Sequence, residues 1–104
     1  ARAAVSLSFD DARPSQADAG LKILDFYGVK ASFYLSPDRM LERVEQWRRA
    51  SASGHEMGNH TVSHPCTGNF EWSRRNALED FTVERMEGEL AEANRLVSES
   101  PPRF

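Results

Sequence analysis

The order in which strand-like and helix-like stretches follow one another constrains the fold of this chain most strongly. Residues 3–9 and 31–35 alternate between apolar and polar side chains, as half-buried strands do, and residues 56–58 indicate a short third strand. Residues 15–27 and 37–53 carry apolar side chains three or four positions apart, which is typical of amphipathic helices. Two crossovers of this length favour parallel strands joined right-handedly. The sequence therefore predicts an α/β fold of order βαβαβ.

The inward faces of these elements can be assigned from the same spacing. Ser15 and Ser36 are predicted N-caps, Pro37 fits a first helical turn, and Gly28 and Gly54 are expected to end the two helices. The side chains predicted to face the core are Val5, Leu7, Phe9, Ala17, Leu21, Leu24, Tyr27, Ala31, Phe33, Leu35, Met40, Val44 and Trp47.

A long loop and a further helix follow the third strand. Residues 61–80 have mixed polarity, so we expect a loop with at most a short helical turn. The next helix is predicted to end within residues 98–102, and Gly88 interrupts it at a cost of about 1 kcal/mol relative to alanine. Its predicted apolar stripe consists of Val83, Met86, Leu90, Ala93 and Val97.

Composition excludes several classes of protein. The 104 residues suffice for one domain or a piece of one. With 13 Lys and Arg against 16 Asp and Glu, the net charge is −3, so we expect no nucleic-acid partner. No apolar stretch approaches the roughly 20 residues of a membrane span. The single cysteine, Cys66, excludes an internal disulfide. The chain starts with Ala1 rather than Met, which is compatible with removal of a leader, so the cellular compartment stays open.

Reactive side chains follow the predicted strands at their carboxyl ends. Asp10 and Asp11 come directly after the first strand, and His60 and His64 follow the third. In parallel sheets these ends meet at one edge, where functional groups collect. Adjacent carboxylates on an extended segment point in opposite directions, so we expect one to bind a metal and the other to face a substrate or a water.

The spacing of His60 and His64 is that of a metal-binding pair if residues 61–64 form a helical turn. With one carboxylate they make three ligands and leave a fourth position open, as in catalytic zinc sites. Cys66 would occupy that open position, so we do not expect it to be a ligand. His55 is expected to make a local hydrogen bond instead, and its distance from the next histidine excludes the His-Glu-x-x-His metalloprotease motif.

Plain structural interpretations compete with these. An Asp-Asp pair after a strand is often a turn or helix-cap signal, and a His-x-x-x-His spacing alone also arises by coincidence.

Taken together, residues 8–11 (SFDD), 30–34 (KASFY) and 58–65 (GNHTVSHP) resemble the polysaccharide deacetylases of carbohydrate esterase family 4, also called the NodB homology domain. They are similar to that family's Thr/Ser-Phe-Asp-Asp, Ala-Thr-Phe-Phe and His-Ser/Thr-x-x-His motifs, in the same order. The resemblance extends over nearly the whole chain.

The resemblance implies a set of roles. Asp11, His60 and His64 would bind a divalent metal, usually zinc, and Asp10 would be the general base. The reaction implied is hydrolysis of an N-acetyl or O-acetyl group on an acetylated glycan, with a metal-activated water as nucleophile. It also favours an extracellular, periplasmic or cell-envelope location.

The chain also departs from the family pattern. Residues 12–14 (ARP) replace the usual Gly-Pro, so the loop beside the metal differs. The family's domain is a distorted (β/α) barrel, and such barrels need about 200 residues or more. We therefore expect residues 1–104 to be a partial catalytic domain, the N-terminal part of that barrel, with an open sheet edge that favours association. The family's later motifs, a bracing arginine, an apolar acetyl pocket and an acid histidine, have no counterpart here, and Arg103 is not assigned to the brace.

Two alternative functions stay open: a metal- or carbohydrate-binding remnant without turnover, and a related amidase that acts on a non-sugar amide. Phe70 and Trp72, in the loop after the histidines, would either stack on sugar rings or anchor that loop to the core.

Overall fold

The computed structural model describes residues 2–99. Its strands are β1 (Ser8–Asp10), β2 (Ser32–Leu35) and β3 (Glu56–Asn59). Its longer helical segments are a π-helical stretch Gln16–Gly20 that continues into α1 (Leu21–Phe26), then α2 (Pro37–Leu41), α3 (Val44–Ala52) and α4 (Val83–Glu99). Within this described part of the chain, no helix is both long and apolar enough to cross a membrane.

The three strands form one parallel sheet in the order β1-β2-β3. In register, Asp10 lies beside Tyr34 of β2, and Tyr34 lies beside Gly58 of β3. The predicted βαβαβ order and parallel pairing are confirmed. As a result, the segments that follow β1 and β3 leave the same edge of the sheet.

The core is centred on Phe33, the middle of the alternating pattern in β2. Its ring stacks on Phe9 at a centroid distance of 5.2 Å and meets the edge of Trp47 at 5.1 Å. Trp47 of α3 is fully buried, as is Val97 of α4, so helices from both crossovers and the last helix cover the sheet. Truncating an aromatic at such a site costs about 3–5 kcal/mol.

The first strand is shorter than predicted. β1 begins at Ser8, whereas Val5 is 84% exposed and Leu7 is also exposed. The carbonyl of Leu7 still accepts a hydrogen bond from the Ser32 amide at 3.0 Å. Among residues 2–99, no strand pairs with the other side of β1, so nothing draws residues 3–7 into the sheet.

The first helix starts and ends differently from the prediction. Ser15 has helical backbone angles and makes no capping hydrogen bond, because the helical turn already begins at Pro14, whose missing N–H is not needed there. Tyr27 is 72% exposed, since it lies beyond the last helical residue and packs edge-on against Phe26. Gly28 ends the helix with a φ of 64°, as expected.

The predicted helix over residues 37–53 is two helices. Arg43 breaks it with φ −140° and ψ 41°, and its guanidinium reaches Asp18 with N–O distances of 2.8 and 3.1 Å. Ser36 occupies the cap position with an extended backbone, but its hydroxyl makes no capping bond. Pro37 in the first turn is confirmed, and Gly54 has the left-handed φ of 97° that ends α3.

The second half of the described chain is more helical than expected. The loop contains two 3₁₀ segments, Glu71–Asn76 and Leu78–Asp80, rather than one short turn. Helix α4 forms where predicted, but Val83 and Leu90 are exposed, because only the C-terminal half of the helix packs into the core. The predicted end of this helix lies partly outside the described residues, and Arg103 lies wholly outside them.

Candidate metal centre

Asp11, His60 and His64 come together at the carboxyl edge of the sheet. Oδ1 of Asp11 lies 3.1 Å from Nε2 of His60 and 3.3 Å from Nε2 of His64. One ligand atom from each of the three side chains falls within 4.8 Å of the others. Within residues 2–99, this is the group of histidine, cysteine and acidic side chains close enough together to hold one ion.

The chemistry and spacing of this cluster fit a divalent metal such as zinc. Zinc in proteins prefers imidazole nitrogen and carboxylate oxygen at about 2.0–2.2 Å, and two tetrahedral ligands at that radius are about 3.3 Å apart. The Asp11 oxygen is separated from both imidazole nitrogens by nearly this distance. The Asp11 and His60 side chains are largely shielded from solvent, while the His64 side chain is 45% exposed.

Asp11 reaches the histidines through an unusual backbone. The prediction of an extended Asp-Asp segment is wrong, because Asp11 and Ala12 have φ values of 80° and 54°. The Asp11 amide still donates to the carbonyl of Tyr34 at 3.1 Å, so the turn begins at the last hydrogen bond between β1 and β2. Asp10 itself is exposed, and its carbonyl accepts a hydrogen bond from Nε2 of Gln16 at 2.6 Å.

The histidine loop is not the helical turn that the four-residue spacing suggested. Thr61 and His64 have φ values of 62° and 52°, and side chains replace the helical hydrogen bonds. The Thr61 amide donates to Oδ1 of Asn59 at 2.7 Å, and the His64 amide donates to Oγ1 of Thr61 at 3.2 Å. The two imidazole rings nevertheless meet, with centroids 5.0 Å apart.

Helix α4 supports this loop from one side, which the sequence analysis missed. The carboxylate of Glu89 accepts hydrogen bonds from the amides of Val62 and Ser63, both at 2.8 Å, and from the Ser63 hydroxyl at 2.6 Å. Burial raises the pKa of Glu89, but these hydrogen bonds outweigh it, and with Arg85 they hold the pKa below its ordinary value. The sequence did contain a sign of this contact: Glu89 lies three positions after Met86, on the side of the helix that carries the predicted apolar stripe.

Asn59 provides a second link between the loop and α4. Its Nδ2 donates to the carbonyl of Leu90 at 2.9 Å and to Oδ1 of Asn94 at 2.8 Å. Because Asn59 is the last residue of β3 and also accepts from Thr61, it joins strand, loop and helix.

The second carboxylate oxygen of Asp11 faces two arginines. Nε and Nη2 of Arg13 both lie 3.3 Å from Oδ2, and Nη1 of Arg39 lies 3.8 Å from it. Asp11 therefore directs one oxygen to the histidines and the other to guanidinium groups. Arg13 belongs to the Ala-Arg-Pro segment that departs from the family pattern, and the sequence alone did not indicate this contact.

A cavity of about 740 Å³ opens beside the cluster. Asp11, His64, Arg13 and Trp72 are among the side chains that line it. The Trp72 ring lies 5.9 Å from the His64 ring and stacks on Phe70, also at 5.9 Å. Both aromatics are more than half exposed, so they do not anchor the loop in the core.

His55 and Cys66 lie apart from the cluster formed by Asp11, His60 and His64. His55 is buried; its Nδ1 accepts from the Ala31 amide at 3.3 Å, and its Nε2 lies 2.9 Å from Oδ1 of Asp25. The prediction of a local hydrogen bond is wrong, because both partners lie more than 20 residues earlier in the chain and the buried ring links the end of α3 to the first crossover. The backbone of Cys66 bonds to Leu78, and its thiol is not part of the ligand group found among the described residues.

Comparison with known proteins identifies the family to which this chain is similar. The family model described as polysaccharide deacetylase matches residues 1–100. A chitooligosaccharide deacetylase of Bradyrhizobium sp. (strain ANU 289) is 37% identical over 62 residues, which cover 59% of this chain and 28% of the relative.

Two solved structures show the same fold. A peptidoglycan N-acetylglucosamine deacetylase superposes with a TM-score of 0.74 at 23% identity, over 92% of this chain and 40% of that one. A pseudoenzyme of carbohydrate esterase family 4 from Bacillus anthracis superposes with a TM-score of 0.69 at 21% identity, over 92% of this chain and 31% of that one.

The chain spans less than a third of the length of the curated relatives it matches. Its sheet and helices match the N-terminal part of the (β/α) barrel of these deacetylases, as the sequence predicted. With a family model that matches residues 1–100, the chain belongs to the polysaccharide deacetylase family.

Proposed function

We propose that this chain forms the metal-binding part of a hydrolase that removes acetyl groups from a glycan. The observation that carries the proposal is the convergence of Asp11, His60 and His64 on one point at the carboxyl edge of the sheet. Membership of the polysaccharide deacetylase family supports this reaction class. Two of the relatives, a chitooligosaccharide deacetylase and a peptidoglycan N-acetylglucosamine deacetylase, favour a glycan that contains N-acetylglucosamine.

The metal ligands in this proposal are Oδ1 of Asp11, Nε2 of His60 and Nε2 of His64. A divalent ion, with zinc favoured by the donor set, supplies Lewis acidity that polarises an acyl oxygen and makes water more acidic. Arg13 and Arg39 hold the other oxygen of Asp11, so the carboxylate keeps one orientation. Such outer contacts commonly tune the affinity of a metal site.

Asp10 is the general base in this proposal. It is an exposed residue directly before Asp11, at the carboxyl end of β1, and in this proposal its carboxylate accepts a proton from the attacking water. The adjacent cavity has the size of ordinary small-molecule sites and offers Trp72 as a surface for a sugar ring.

The test is acetate release from acetylated chitooligosaccharides by the full-length protein, with the zinc content measured in parallel. Asp10→Asn is expected to retain zinc and lose acetate release, whereas His60→Ala is expected to lose both. Unchanged acetate release in Asp10→Asn would remove the base assignment. Release from small cyclic amides, with none from the oligosaccharides, would instead indicate a related amidase.

A second candidate function is metal and glycan binding without turnover. The chain has three histidines; two belong to the metal cluster, and the third, His55, is buried and hydrogen-bonded at both nitrogens. Within residues 2–99, therefore, no histidine is free to protonate the leaving amine, and turnover would need an acid from another part of the full-length protein. This candidate predicts zinc binding and oligosaccharide binding by the full-length protein with no acetate release.

A further inference from the structure

The loop that carries both histidine ligands is held by a single carboxylate from another element. Val62 and Ser63 form the middle of the loop, between His60 and His64. Their two amides donate to the same oxygen, Oε2 of Glu89, and the Ser63 hydroxyl donates to Oε1. Three donors from two adjacent residues thus meet one side chain of α4.

The loop depends on such a partner because its backbone is irregular. Thr61 and His64 both have left-handed φ values, which residues other than glycine rarely adopt. Positive φ values at these two residues turn the chain so that the amides between them point to one side, toward Glu89. Strained backbone persists where surrounding contacts fix it, and Glu89 supplies three such contacts.

The electrostatics of Glu89 suit this task. Burial alone would favour its neutral form, yet the hydrogen bonds from Ser63 and Val62, with the charge of Arg85, lower its pKa. An ionised carboxylate accepts stronger hydrogen bonds than a neutral group does.

We propose that Glu89 is a positioning residue for the metal centre: by fixing the amides of Val62 and Ser63, it sets the separation and orientation of the His60 and His64 imidazoles. The inference rests on the proposed function, because it assigns those imidazoles to a metal. It adds a residue that touches neither the metal ligands nor the cavity. Losses of residues that orient metal ligands typically weaken metal affinity by about 10- to 100-fold.

The test compares three variants of the full-length protein. Glu89→Ala removes all three hydrogen bonds. Glu89→Gln keeps an amide oxygen that can accept from both backbone amides. Glu87→Ala is the matched control, because Glu87 is an exposed glutamate on the same helix, and its removal changes charge and helix propensity in the same way.

Zinc affinity is measured by titration calorimetry with Zn²⁺ alone, and ligand geometry by the visible absorption of the Co²⁺ form. We expect zinc affinity to fall about 10-fold or more in Glu89→Ala, with an altered Co²⁺ spectrum, and to stay within about 3-fold in Glu89→Gln. Glu87→Ala is expected to match the unaltered protein in both readouts. A purely structural role for Glu89 would lower thermal stability and leave the Co²⁺ spectrum unchanged.

The outcomes separate this inference from the proposed function. Zinc binding by the unaltered protein and by a folded Glu89→Ala with equal affinity and spectra would overturn only the role of Glu89, as would equal losses in Glu87→Ala. No zinc binding by the unaltered protein would overturn both. If circular dichroism shows that Glu89→Ala does not fold, Ser63→Ala removes one of the three bonds from the loop side. We then expect zinc affinity to fall by more than the margin of about 3-fold allowed for Glu89→Gln, and an affinity within that margin overturns the inference.

Discussion

Oδ1 of Asp11 lies 3.1 Å from Nε2 of His60, although the two residues follow strands that are not neighbours in the sheet. β2 lies between β1 and β3, and the left-handed turn at Asp11 carries its carboxylate across the end of β2. The Asp11 amide bonds to the carbonyl of Tyr34 in β2, so this crossing is fixed to the sheet. The ligand cluster therefore depends on the order of the strands and on two irregular segments, the turn at Asp11 and the histidine loop.

Asp11→Asn is expected to weaken zinc binding by about 100-fold or more, because loss of a ligand costs more than the 10- to 100-fold typical of a supporting contact. Titration calorimetry measures the effect. Asp38→Asn is the matched control, since Asp38 lines the same cavity but is not in the ligand cluster. Equal zinc affinities for Asp11→Asn and the unaltered protein would contradict the assignment of Asp11.

The sheet could be predicted because its information is local. Ala31, Phe33 and Leu35 alternate, and all three are buried in and beside β2. Parallel pairing then follows from the length of the crossovers, and the meeting of Asp11 with His60 follows from parallel pairing. These steps need no knowledge of contacts between distant side chains.

The features that sequence analysis missed depend on partners far along the chain. Arg43 leaves the helical conformation, and its guanidinium forms a bidentate contact with Asp18. The helix propensities of residues 37–53 do not predict this break. The histidine spacing suggested a helical turn, but Asn59 and Glu89 stabilise a different backbone. Two histidines four residues apart can meet in a helical turn and also in an irregular loop. The sequence therefore predicts that His60 and His64 lie together, but it does not predict the backbone conformation between them.

Gly58→Ala is expected to destabilise the sheet by about 1–3 kcal/mol, the usual range for overpacking. A Cβ at this position would lie 2.6 Å from Cδ1 of Tyr34, its neighbour in register. In a Tyr34→Ala background the same change should cost less than half as much, because the ring is gone. Urea unfolding measures all four stabilities.

Gly88→Ala is the control for that series. Gly88 lies inside α4, and a Cβ there would meet no heavy atom within 4 Å. Alanine should therefore stabilise the helix by up to about 1 kcal/mol. If Gly58→Ala is as stable as the unaltered protein, the close packing of Tyr34 on β3 does not exist in solution.

His55→Ala is expected to lower the free energy of unfolding by about 2–4 kcal/mol without changing the zinc stoichiometry. The Ala31 amide donates to Nδ1, which places the ring proton on Nε2, from where it is donated to Asp25. The variant leaves a cavity and an unpaired amide beside β2. Asp25→Asn, at a half-exposed position, should cost less than about 1 kcal/mol. A loss of zinc binding in folded His55→Ala would show that His55 belongs to the metal centre.

The contribution of Glu89 to the free energy of unfolding is expected to decrease as the pH falls into the acidic range. Its pKa in the folded protein is held below the ordinary value of 4.5, so its stabilising effect is fully present above about pH 4.5 and is lost as the pH falls through the lower folded value. Glu89→Gln removes the titrating group while keeping its shape. The difference in unfolding free energy between the unaltered protein and Glu89→Gln should thus be constant from about pH 5 to 7.

Below about pH 4.5 that difference should shrink toward zero, because a protonated Glu89 resembles the glutamine that replaces it. Urea unfolding at a series of pH values measures it, and the other titrating groups cancel because both proteins carry them. Glu87→Gln, on the exposed face of the same helix, should show a difference that does not change with pH. A difference for Glu89→Gln that grows as the pH falls would mean that burial, and not the hydrogen bonds from the histidine loop, governs the ionisation of Glu89.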